Sequence, residues 1–447
     1  FVQHVNRYTG LAYKDDPAVV ALELINEPLY PPGTSDAQVV SYINALVDAV
    51  RAAGCRKPIF FNCWGERQKA VAQSAADGAS CGWYPTGLVA GRCLWDNFLP
   101  RVSHYTMFGR GALDGKPKII YEFDAADVPG SYMYPAMARS FREAGVQIAT
   151  QFQYDCLPLA PYNRCWQTHY LNLVYAPAKA ISFAIAAEVF ERVPRGTSFG
   201  EYPSNSRFGP FTVSYDEDVS LLCAEDAFMN SGPTSTKPPA PEKLERVWGC
   251  GSSPIVEYKG TGAYFLDRVR PGCWKLELYP DAVWVNDPYG RPGPDREVSR
   301  LIWRQHEMAV RLPDLGAEFY VRRPGLAEKA AMRARSGRFV IRPGVWLLVR
   351  DGVSAPSVPA EFVCPPQRPG AEPAAWALMP RAWVAGADCP IEVRAAGSEG
   401  APESVEVWLV GREDVRRVRL AEERPYLFTG ILPGDALRGE AVDWVVA

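Results

Sequence analysis

From residue 17 to residue 190 short apolar runs alternate with amphipathic stretches, and after Val193 that rhythm stops. The alternation constrains the fold most, because strands separated by helices imply a parallel sheet with right-handed crossovers. The first run, residues 19–28, reads Val-Val-Ala-Leu-Glu-Leu-Ile-Asn-Glu-Pro. Aliphatic and β-branched residues suit a buried strand, and Pro28, which cannot donate to a central ladder, ends it. Ser35 then caps a helix whose apolar positions Val39, Ile43, Leu46, Val47 and Val50 recur at three and four, with Gly54 as the stop. Strands are expected at 57–64, 79–85, 118–124 and 146–153, and helices at 66–76, 134–144 and 177–192. Residues 86–116 form a long stretch with little periodicity, which in a compact domain signals a functional loop. Residues 1–9 read as the end of a helix stopped at Thr9-Gly10, so the chain reads as starting inside a domain.

Beyond Val193 the pattern is short β runs punctuated by Gly and Pro. Residues 211–215, 262–266, 273–278 and 345–349 are the clearest strands, with Pro271-Gly272 and Pro343-Gly344 as turn dipeptides. Residues 353–359 read as a linker, after which 389–394 and 404–410 alternate with period two. The expected domains are therefore an α/β domain at 1–193, a β-sandwich at 194–353 and an immunoglobulin-like module at 354–447.

Composition excludes more than it selects. A formal net charge of −3 without a long basic run argues against nucleic acid as a partner. No run approaches the ~18 apolar residues of a membrane span. Eleven cysteines without a CxxC pair, and four histidines without metal-motif spacing, give no reason to expect a metal or other cofactor. The 13 tryptophans and 21 tyrosines exceed what a core alone requires; sugar-binding clefts use such rings, and so do β-sandwich cores.

Two of the expected strands end in a glutamate. Glu27 closes the first, and Glu122 stands near the end of Lys118-Ile119-Ile120-Tyr121-Glu122-Phe123-Asp124. Carboxylates at the carboxyl ends of parallel strands sit where α/β folds keep their chemistry, and two of them are what glycosidic cleavage needs. Asp124 shares the face of Glu122 and competes for the same role, whereas Glu23 lies deeper and reads as a structural partner. Strict alternation points Asn26 and Glu27 to opposite faces, so both reach one site only if the strand curls at its end.

Leu24-Ile25-Asn26-Glu27-Pro28, followed downstream by Ile119-Ile120-Tyr121-Glu122-Phe123, resembles the retaining glycoside hydrolases of the (β/α)8-barrel clan that includes the cellulase and mannanase families. The resemblance covers roughly residues 1–192. It implies an α/β fold class, with a partial (β/α)8 barrel comprising about strands four to eight, the clan's first strands being absent from the sequence, and all-β sandwich domains behind it. It further implies retaining hydrolysis of β-glycosidic bonds in a polysaccharide or oligosaccharide, with Glu27 as acid/base, Glu122 as nucleophile and Asn26 on the sugar 2-OH. Tyr84, at the end of the strand that would be sixth, is expected to bond the nucleophile. Trp64 and Trp83 are candidate stacking platforms, Tyr105 belongs to a His104-Tyr105 pair, and Gln153 falls in the stretch where clan members carry a tryptophan. A secreted or periplasmic location follows by the same resemblance. Without its first strands the chain is expected to be inactive as it stands. The alternative, from a different class, is a non-catalytic carbohydrate-binding or structural protein whose α/β part scaffolds the β modules.

Overall fold

The structure, a computed structural model, describes every residue except 65–66, 109–110, 326–330, 381–383, 385, 399, 411–414, 438–442 and 447. Its first half holds strands β1 (Leu22–Glu23), β2 (Ile59–Asn62), β3 (Gly78–Trp83), β4 (Lys118–Phe123) and β5 (Ile148–Gln151), paired in parallel in that order. Helices α1 (Asp36–Ala52), α2 (Gln68–Gln73), α3 (Met133–Glu143) and α4 (Pro177–Arg192) lie between and after them. Ser35 caps α1 in a capping box, its Oγ accepting from Gln38 N at 3.3 Å while Gln38 Oε1 accepts from Ser35 N at 2.8 Å. Gly54, at φ 83°, ends that helix in the left-handed conformation that favours glycine. The expected helix at 66–76 is the shorter α2, and Glu66 lies outside the described residues.

Strands in sequential order, joined by right-handed crossovers, put their helices on one face. Side-chain alternation agrees: Ile59, Phe61, Ala79, Cys81 and Ile120 share one core with Val39, Ile43 and Val47 of α1, Phe141 of α3 and Ile185 of α4. The other face carries Glu23, Asn62 and Ser80, a polar layer that the fold directs away from the helices.

The expected fold class is overturned. Among the described residues the sheet is open, since β1 pairs only with β2 and β5 only with β4, so they form no (β/α)8 barrel. Nor does α/β describe the chain: four α-helices stand against 26 strands among the described residues, and 21 of those strands follow Val193, so the protein is mostly β. The reason is length, because the alternating pattern spans under half the chain and closure takes about 250 residues. The amino terminus differs too. Thr9-Gly10 closes a turn, with Asn6 N donating to Leu11 O at 2.9 Å and a bridge between Val5 and Ala12, instead of ending a helix.

After α4 a ten-stranded sheet begins at Arg207–Phe208 and faces a three-stranded sheet (Val256–Tyr258, His306–Val310, Arg338–Ile341). Their inner faces, among them Val247, Leu266, Trp274, Leu276, Met308, Val310 and Ile341, form a second core. Pro271-Gly272 links Ala263–Arg270 to Cys273–Leu278 as a tight hairpin, Gly272 taking φ 74°. A six-stranded antiparallel unit from Ala374–Leu378 to Asp443–Val446 follows, with its own core around Ile391, Val393, Val407, Leu409 and Phe428. The long strand Val415–Arg424 pairs on opposite sides along its length and ties the two halves of this unit together.

α4 is the joint between the halves. Phe208, Phe211, Leu222 and Met229 of the ten-stranded sheet belong to the same apolar cluster as α4 and β1–β5. Glu188 of α4 accepts from Arg246 Nη1 at 2.6 Å, and Arg192 meets Asp226 at 2.6 Å. The core of the first half therefore continues past Val193.

Candidate active site

The site candidates gather at the carboxyl ends of β1–β4, on the face without helices. Two backbone irregularities put them there. In β4 the register slips: Cys81 pairs with Ile120 but Gly82 pairs with Glu122, and on the other side Ile120 pairs with Ala149 but Phe123 with Gln151. One extra residue is accommodated, a β-bulge, so Tyr121 and Glu122 both turn to the polar face while Ile120 and Phe123 face the helices. At the end of the first strand Glu27 adopts φ 43°, a left-handed turn that bends the chain where strict alternation would have split Asn26 from Glu27. For a non-glycine residue such a turn stores about 1–3 kcal/mol, a cost that clusters at functional sites.

The two glutamates are each held by a tyrosine. Tyr84 Oη donates to Glu122 Oε1 at 2.9 Å, and Tyr121 Oη donates to Glu27 Oε1 at 2.8 Å. Burial raises the Glu122 carboxyl above its ordinary range and the nearby Glu27 charge adds to the rise, while the Tyr84 and Tyr121 hydroxyls pull against it. Tyr121 thus acts on both carboxyls. Both tyrosine hydroxyls are themselves raised, first by burial and then by the carboxylates they serve. Below the pair, Glu23 accepts from Ser80 Oγ at 2.8 Å and Asn62 Nδ2 at 3.0 Å, and burial raises its carboxyl too. It is a bonded floor for the site.

Trp64 stands beside both tyrosines, its ring 6.3 Å from Tyr84 and 6.2 Å from Tyr121. Its own φ of 32° is left-handed, and the ring lies across Gly82, where a Cβ would meet it at 2.2 Å. Asn26 is exposed at the rim and makes no hydrogen bond among the described residues.

Other candidates fall elsewhere. Trp83 points to the helix side and packs edge-on against Tyr105 at 5.1 Å and Phe141 at 5.3 Å. Tyr105 is buried there and donates to Gly82 O at 3.2 Å, so neither residue faces the glutamates. His104 is tied to Glu143 of α3 at 2.9 Å. Gln153 lies past β5, one strand beyond Glu122, with a buried Nε2 lacking an acceptor among the described residues. Asp124 is fully buried and cannot attack a substrate; it accepts from Tyr134 at 2.8 Å and meets His169 Nδ1 at 2.9 Å. Burial alone would raise its carboxyl, but His169, Lys179 and Tyr134 outweigh that and hold it below the usual range.

Sequence reasoning missed Tyr121 and His169. Tyr121 neighbours Glu122, and period two sends it to the wrong face; only the bulge brings it in. The His169 ring lies 5.3 Å from that of Tyr84 and links the hydroxyl holding Glu122 to the buried Asp124. No group of three or more metal-ligating side chains occurs among the described residues, and none of their helices is long and apolar enough to cross a membrane. No family model, curated protein or solved structure matches this chain.

Proposed function

We propose that Glu27 and Glu122 are the carboxyl pair of a retaining β-glycoside hydrolase, acting on a β-linked polysaccharide or oligosaccharide met outside the cytoplasm. The observation that carries this reading is Tyr121, whose hydroxyl bonds Glu27 and acts on Glu122 from a bulge on the same strand. Retention needs two carboxyls flanking the anomeric carbon, one protonated and one ionised. Two carboxyls that sense each other's charge separate into those states, because ionising one raises the proton affinity of the other. Glu122 attacks, with Tyr84 steadying its charge. Glu27, on the open rim, protonates the leaving oxygen and then activates water. Trp64 offers its ring as the sugar platform.

The test uses a 2,4-dinitrophenyl β-glycoside, whose leaving group needs no protonation, so that the nucleophile is read alone. Dinitrophenolate release should vanish in Glu122→Gly, and added azide should restore it as the inverted glycosyl azide. A retained azide would exchange the two roles, an outcome the raised carboxyl of Glu122 makes worth separating. Exposure of Asn26 and Glu27 favours a second reading, a non-catalytic carbohydrate-binding protein. Absence of any Glu122-dependent release from the complete gene product, with whatever sequence precedes residue 1, would decide for that one.

A further inference from the structure

A second polar region lies away from the glutamates, where α4, the ten-stranded sheet and the C-terminal unit meet. They enclose a cavity of about 420 Å³, within the range of about 300–1,000 Å³ typical of small-molecule sites. None of its lining residues is a residue of the rim described above. Four cations line it, Lys179, Lys259, Arg394 and Arg424, against two acids, Glu217 and Asp218. The Asp218 carboxyl is already engaged, accepting from Ser131 N at 2.6 Å. Lys179 is also committed, donating to Val128 O at 3.1 Å and Tyr289 Oη at 2.9 Å.

Arg394 is different. Its guanidinium lies against the rings of Trp284 and Trp376, with centroids at 5.7 and 5.8 Å, and among the described residues it has neither a hydrogen bond nor an ion pair. Burial pulls it below the ordinary arginine range. A guanidinium presents a planar fork matched to carboxylate or phosphate, and that of the half-buried Arg394 feels the Asp218 charge without pairing with it among the described residues, so the fork stays open to an anion. The first turn of α4 opens onto the same cavity, with no side chain capping Ala176. Its positive end therefore adds to the field of the cations. Trp95, 40% exposed, and Trp284 supply ring surface beside these charges.

We propose that this cavity binds a small organic anion, a carboxylate or phosphate head on a ring-bearing body, with Arg394 clamping the head and tryptophan covering the ring. The site stands independently of the glycosidase reading, and its test reads binding, not turnover. Benzoate, phenyl phosphate and benzyl alcohol share a ring and differ in the head, so titration calorimetry with the three, followed also by tryptophan emission, separates carboxylate from phosphate and both from the neutral ring. At least one of the anions should bind at one site per chain, with benzyl alcohol ten-fold weaker or worse. Arg394→Met should weaken the anion about 10- to 100-fold, the equivalent of one charge-assisted hydrogen-bond pair. Arg394→Lys, which keeps the charge and loses the fork, should fall between them. Should Arg394→Met fail to fold by thermal melt, the double variant Lys259→Gln, Arg424→Gln alters exposed side chains only and should weaken the anion several-fold. Equal affinity for benzyl alcohol, unchanged affinity in a folded Arg394→Met, or no heat from either anion at millimolar concentration would overturn the proposal.

Discussion

The rim at Glu122 and the cavity at Arg394 are built on opposite electrostatic plans. At the rim, Glu23, Glu27 and Glu122 each receive a donor from another segment of the sheet, so like charges share a small space through tyrosine, serine and asparagine hydrogen bonds. In the cavity Arg394 lies against two indoles and makes no hydrogen bond or ion pair among the described residues. The first region gives each of its carboxylates a protein donor and is tuned by pairing, whereas the second keeps its strongest donor uncommitted. The difference teaches that the paired site owes its behaviour to its own residues, and the unpaired one to whatever enters it. Lys179 sits between the two: it lines the cavity, while its charge helps hold Asp124, whose partner His169 packs on Tyr84.

The sharpest way to break the comparison is to remove that link. Lys179 is almost fully buried, and Lys179→Met would leave the Asp124 carboxylate short of a compensating charge. A loss of about 3–5 kcal/mol is expected from a urea transition. A loss under about 1 kcal/mol would mean that the two regions are energetically separate.

A smaller effect is expected inside the rim. In Gly82→Ala the new methyl would meet Trp64 Cζ3 at 2.2 Å and Cη2 at 3.0 Å, so the ring has to leave its place beside Tyr84 and Tyr121. Overpacking of this kind costs about 1–3 kcal/mol, and the melt should fall together with a change in tryptophan emission. An unshifted spectrum would show that Trp64 is not fixed by that contact.

The smallest effect is a pH dependence. Glu122 in the folded chain titrates above its ordinary 4.5, so the fold holds that proton more tightly than the unfolded chain does. Its contribution therefore favours folding at low pH and declines as pH rises from about 4.5 through the raised value. Asp124 has the opposite sign: held below its ordinary 3.8, its contribution is complete above that value and lost as pH falls through the lowered one. Glu122→Gln should flatten the decline above pH 4.5 and leave the acid limb in place, and carboxyl carbon shifts in Tyr84→Phe should show Glu122 moving further up. Movement downward would contradict the pairing described here.

Much of the first half was legible in the residues. The five strands and four helices follow from apolar spacing, the Ser35 cap and Gly54, because these signals act over a few neighbours; the first strand, read as running to Pro28, is only Leu22–Glu23. Fold class was not legible, because it depends on how many strands join the sheet, and Asn26-Glu27-Pro28 is silent about that number. Glu27 and Glu122 could be paired in advance as strand-end carboxylates. Trp83 and Tyr105 could not be told from site residues, since an aromatic ring at a strand end serves a core or a cleft equally well. The junction cavity had no sequence signal at all: Lys179, Asp218, Trp284 and Arg394 come together only through tertiary packing.

The bulge at Tyr121 also bears on how such a strand can change over generations. Where pairing is regular, adjacent positions answer to different surroundings, one to the oily interior and one to the open face, and drift under separate demands. From Ile120 to Phe123 that independence is lost, since two successive codons specify neighbouring hydroxyl and carboxyl groups on a single surface. Deleting one residue there would restore ideal pairing and leave room on that surface for only one of them. A better-formed strand would come with a poorer site.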